Sequence, residues 1–90
     1  MGDEKPFDFI FASPVESSTN LALGFLTNNS REPLNVLVTD AYGKKIYSSS
    51  ISPIEGFNKK EIQLPELASA VYFVMLANST GTVTKKFFKN

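Results

Sequence analysis

Residues 71–77, Val-Tyr-Phe-Val-Met-Leu-Ala, are apolar at every position. Extended, the run puts Val71, Phe73 and Met75 on one face and Tyr72, Val74 and Leu76 on the other. It is too short for a typical helix and rich in β-branched and aromatic residues, so it reads as a strand in the middle of a sheet. A chain built around such a strand must supply neighbours on each side of it.

Six further segments fit that role. Phe7–Ala12 alternates, with Phe7, Phe9 and Phe11 on one face, and is ended by Ser13-Pro14, since proline has no donor for a ladder. Asn20–Thr27 turns Leu21, Leu23 and Phe25 one way and Ala22 and Gly24 the other. Leu34–Thr39 places Leu34, Val36 and Val38 inward. Lys44–Ser50 reads as an edge strand from its lysine pair and serine run. Lys59–Leu64 places Ile62 and Leu64 inward, and Thr82–Lys89 is the last strand. In that last strand Lys85 shares a face with Val83 and Phe87, and Lys86 shares one with Phe88. A bulge, or an edge position from which lysine heads reach water, resolves the conflict.

The connections carry turn chemistry. Asp40-Ala41-Tyr42-Gly43 predicts a type I turn closed by a glycine at positive φ, and Asn78-Ser79-Thr80-Gly81 predicts the same. Asn28–Pro33 reads as a polar loop, and Ile51–Asn58, with Pro53 and Gly56, as a connection. Helical periodicity is absent apart from a short turn expected at Leu64–Ser69. The expected fold class is all-β: a seven-stranded antiparallel β-sandwich, immunoglobulin- or fibronectin III-like, with a Greek-key barrel as the alternative. Residues 1–6 read as an added start and linker, and 7–90 as a single domain.

Composition removes several function classes. The ninety residues contain no Cys and no His. Disulfides, thiolate metal sites and every His-based triad are therefore excluded. The acids Asp40, Glu55, Glu61 and Glu66 are too scattered to suggest a calcium site or an acid pair. No catalytic residue, cofactor or metal is expected. Formal net charge is zero, which gives no global attraction to nucleic acid, and no apolar run approaches the roughly 20 residues of a membrane span. No signal peptide is evident at the start.

Charge is uneven, however. Residues 1–40 hold six acids and two bases, net −4, and residues 41–90 seven lysines and three acids, net +4. Either the halves interleave in space, or a basic face near residue 90 is read by a receptor. Asn28-Asn29-Ser30 and Asn78-Ser79-Thr80 match the glycosylation pattern, in loops where small polar residues are common. Tyr42, Tyr47 and Phe57 are the aromatics expected at the surface, where they could stack on a sugar.

Three motifs occur in order: Asp40…Gly43-Lys44, Leu64…Leu67…Ala70-Val71-Tyr72, and Lys85-Lys86-Phe87-Phe88-Lys89. Their sequence resembles the C-terminal sorting domain of proteins exported by the type IX (Por) secretion system of Bacteroidota. Phe11-Ala12-Ser13-Pro14-Val15 holds the family's opening position without its Pro-Asn-Pro, and Ala70 stands where glycine is usual. The resemblance implies a domain of a larger cargo that folds in the periplasm and is recognised by the outer-membrane translocon. It also implies removal by a sortase-like protease as the cargo reaches the cell surface or medium. Recognition is expected at Gly43, Lys44, Tyr72, Lys85, Lys86, Phe87, Phe88 and Lys89. An exposed last strand also offers edge-to-edge pairing in a dimer. The alternative is a structural or adhesive module, carbohydrate-binding included, of a secreted multidomain protein.

Overall fold

The computed structural model describes residues 7–16, 18–28 and 31–90. The expected linker 1–6 and part of the Asn28 glycosylation pattern lie outside them. Seven strands follow in chain order: β1 Asp8–Pro14, β2 Asn20–Thr27, β3 Leu34–Asp40, β4 Lys45–Ile51, β5 Gly56–Gln63, β6 Ala70–Asn78 and β7 Gly81–Lys89. They form two antiparallel sheets, ordered β1-β2-β5 and β4-β3-β6-β7.

One apolar cluster draws on both sheets. Leu21, Leu23, Phe25 and Ile62 come from the first, and Val36, Val38, Val74 and Leu76 from the second. These residues sit on alternate positions of their strands, as a period of two requires when one face is buried. β6 lies between β3 and β7, as its apolar faces predicted. Its inward set is Tyr72, Val74 and Leu76, while Val71, Phe73 and Met75 are half-buried on the outer face. β4 is an edge strand, as its lysines and serines suggested.

β1 departs from the alternation expected of Phe7, Phe9 and Phe11. Its register against β2 shifts between Phe9, opposite Phe25, and Phe11, opposite Gly24. The extra residue, Ile10, returns Ala12 rather than Phe11 to the core side. The Phe11 ring instead lies over Gly24, where a Cβ would overlap it. Gly24 is thus a site of close aromatic approach on the outer face of the sheet.

Three other expectations change, and the open alternative for β7 resolves. Residues 64–69 hold no helical turn, and Pro65 follows Leu64 in an irregular segment. β7 pairs with β6 without a bulge from Lys89 opposite Ala70 to Gly81 opposite Asn78. Its mixed lysines are therefore accommodated by its edge position alone. Gly81 opens β7 directly after a two-residue turn, Ser79-Thr80, and lacks positive φ. The Ile51–Asn58 connection is shorter than expected, because β5 already begins at Gly56. Asn58 is buried there and clamps the connection. Its side chain accepts from Ile54 N–H (2.8 Å) and donates to the carbonyls of Ile54 (2.9 Å) and Gly56 (3.1 Å).

The strand directions define two ends of the molecule, whose longest dimension is 40 Å. Asp8 lies beside Leu26, Thr27, Asn28 and Gly56 at one end. At the other, Pro14, Val15 and Glu16 face Phe88, Lys89 and Asn90.

Candidate functional site

The β3–β4 hairpin is tightly bonded. Asp40 N–H donates to the Lys44 carbonyl (3.0 Å), and Gly43 N–H donates to the Asp40 carbonyl (3.1 Å). The Asp40 side chain closes the loop from within: Oδ1 accepts from the N–H groups of Tyr42 and Lys44, each at 2.9 Å. Gly43 has φ +89°, the positive value its place in the turn predicted. This rigid loop carries Lys44 and a Tyr42 side chain that is 96% exposed.

Strand pairing ties the hairpin to the other motifs. Asp40 pairs with Tyr72, and Tyr72 with Phe87. One step along, Lys45 pairs with Thr39, Thr39 with Phe73, and Phe73 with Lys86. Val71 pairs with Phe88, and Ala70 with Lys89. Residues separated by up to fifty positions thus meet at one end of the four-stranded sheet. The hairpin strand and β7 stand three strand spacings apart there, about 14 Å.

Their exposures differ. Lys86 and Phe88 point outward, and Phe88 is 56% exposed. Lys85 and Lys89 alternate with them, half-buried, and Phe87 is buried. The Lys89 ammonium lies 3.5 Å from the Ser18 carbonyl. The three lysines of β7 consequently do not share a face: the strand's period of two divides them. Tyr72 is buried, and its hydroxyl is engaged by the chain itself. It donates to the Ala68 carbonyl at 2.6 Å. Its ring stacks on Phe87, with centroids 5.7 Å apart. Tyr72 and Phe87 therefore offer no surface to a partner in the folded domain and support the strand from beneath.

Of the aromatics expected at the surface, Tyr42 and Phe57 are exposed, but Tyr47 packs against the core. Tyr42 lies in the β3–β4 loop of one sheet and Phe57 on β5 of the other, so they make no common platform. Asn78 Oδ1 is engaged locally, accepting from Thr80 N–H (2.9 Å) and Thr80 Oγ1 (2.7 Å).

Away from this end, Glu32 accepts a hydrogen bond from Ser79 N–H at 2.8 Å. Bonds from the Ser79 side chain and backbone hold its carboxyl below the usual range. Among the described residues no group of three or more Asp or Glu side chains is placed to hold a metal ion, and no helix is long and apolar enough to cross a membrane.

The model of one protein family, the secretion system C-terminal sorting domain, matches residues 10–90. The chain belongs to this family. No curated protein matches it. The sorting domain is a C-terminal signal for type IX secretion, part of a larger cargo bound for the cell surface or the extracellular space. Its family is one of sorting signals and not of enzymes.

Two features of the sorting domain escaped the sequence reading. One is the Tyr72–Ala68 bond, whose acceptor is a backbone carbonyl with no side-chain signature. The other is Asp40 as the loop's internal acceptor, which Asp at the first turn position could have signalled.

Proposed function

We propose that the secretion translocon reads the end of the four-stranded sheet where the three motifs meet. The contact surface is Gly43 and Lys44 on the hairpin with Lys86 and Phe88 on β7. Lys85 and Lys89 border it, and Tyr72 and Phe87 hold β7 in place from the core. The observation that supports this is the pairing of Asp40, Tyr72 and Phe87 in one row across β3, β6 and β7. A basic, partly apolar surface of this kind suits a receptor site with acidic groups around an aromatic-accepting pocket. The cargo crosses the periplasm with this domain folded, and a sortase-like protease then removes the domain.

The same reading extends to the fold, as an immunoglobulin-like sandwich of the fibronectin III kind. Tyr72 resembles the tyrosine corner of such folds, near the start of the sixth strand with its hydroxyl bonded to backbone four residues upstream. In the constant-type immunoglobulin arrangement the fourth strand joins the sheet of the first, second and fifth. Here β4 pairs with β3 instead.

A transport assay tests the function. The chain is placed behind a signal peptide and a fluorescent reporter, in a bacterium with a working type IX system and in a translocon-deleted sister strain. Reporter outside the first and trapped in the periplasm of the second is the expected result. Lys44→Glu with Lys86→Glu should lower export by about tenfold, the worth of about 1.4 kcal/mol of lost binding. Export unchanged by this double reversal would sink the assigned surface.

A further inference from the structure

The two sheets have four rim strands, β1, β5, β4 and β7. A rim strand exposes unpaired N–H and C=O groups, and proteins usually guard it with charge, proline, bulges or cover. β1 has the irregularity at Ile10, Pro14 at its end, and β7 alongside. β7 has β1 alongside and Lys85, Lys86 and Lys89. β5 carries Lys59, Lys60 and Glu61 in succession. β4 has a charge at its first residue, Lys45, and an irregularity at Ile46, where its register against β3 shifts, but no guard from Tyr47 onward. After Lys45 it reads Ile-Tyr-Ser-Ser-Ser-Ile, without charge, proline or glycine. It pairs regularly with β3 from Tyr47 to Ile51. Among the described residues it is paired on that side only.

We propose that the open edge of β4 accepts an extended segment of a protein of the export machinery as an added strand. This rests on the sorting function argued above and adds a second contact surface to it. Main-chain hydrogen bonds would supply the affinity, and side chains along the edge the register. The edge also specifies charge. Lys44 and Lys45 stand at one end, and residues 46–51 are neutral. The complementary segment is therefore neutral along its body and acidic at the end that meets the lysines. A second copy of β4 fits less well. Antiparallel self-pairing centred on Ser48 sets Lys45 against Ile51, so neither lysine gains an acidic neighbour.

The test places guards on the edge. Ser48 and Ser50 are exposed, and Ser48→Lys with Ser50→Lys gives β4 the protection that β7 already has. Ile10→Lys with Ile54→Lys adds the same charge at exposed positions outside β4. In the transport assay the β4 variant should lose at least tenfold in extracellular reporter, and the control should stay within twofold of the original. Thermal unfolding of both purified proteins checks that they fold. If the β4 pair fails to fold, Ser50→Lys alone replaces it, with an expected loss of at least threefold. Equal export by the β4 variant and the original overturns the proposal while leaving the sorting function intact. Equal loss in the control overturns it as well. Retention of the original reporter sinks both. Sedimentation of the purified chain covers the other occupant: a dimer that the β4 variant dissolves, with export unchanged, assigns the edge to a second copy and overturns the proposal.

Discussion

At the scale of single residues, the fold relies on contacts whose partners are backbone atoms or bare space. Tyr72→Phe removes one hydroxyl and leaves the Ala68 carbonyl without its donor. The expected cost is about 0.5–1.5 kcal/mol, read from urea denaturation. Gly24→Ala puts a methyl where the Phe11 ring lies, and displacing the ring should cost about 1–3 kcal/mol. Phe11→Ala in the same chain removes the obstacle, so the double variant should be more stable than the two single costs predict when summed. Strict additivity would show that the ring does not rest on Gly24. Glu32 gives a pH dependence. Its folded carboxyl titrates below the ordinary 4.5, so its bond to Ser79 stabilises above that value and is lost as pH falls through the lower folded value. Glu32→Gln should flatten the acid limb of the stability profile below pH 4.5 and leave the profile near neutrality without slope from this group.

Among the strands, legibility followed how far each one's surroundings could be inferred from its own residues. β2 was bounded correctly at Asn20 and Thr27, because Leu21, Leu23 and Phe25 alternate without interruption between polar ends. β6 was recognised as central for a similar reason. β1 misled, because the irregularity at Ile10 depends on what Phe11 meets in β2, a fact stored in Gly24. β7 stayed ambiguous, since alternating lysines and phenylalanines fit either a bulge or an edge. The same logic predicts amide exchange. β6 is paired on both sides and should exchange last. The amides of β4 that face away from β3 should exchange first among the strands of that sheet. Uniform protection across β4 and β6 would mean that the β4 edge is covered in the free domain.

The whole molecule is assembled from distant parts of the chain. β2 pairs with β5 and β3 with β6, so long loops must close before either sheet is complete. Folding is expected on the order of milliseconds to seconds, measurable by stopped-flow fluorescence of the tyrosines. This long-range pairing also explains why the site was only partly legible. The turn at Asp40–Gly43 and the motif at residues 85–89 could each be read locally. Their meeting through Tyr72 could not, because it depends on which strands become neighbours. The acidic first half and basic second half of the sequence are likewise spread over both sheets.

The two ends of the domain carry a last consequence. The chain enters β1 at Asp8, while the hairpin, Phe88 and Lys89 gather at the opposite end of a body 40 Å long. On the proposed reading of the site, the domain is a handle with its grip at the tip. A machine that holds the tip keeps the attached cargo a domain's length from its own jaws, so the bulk and shape of the load need not enter the grip.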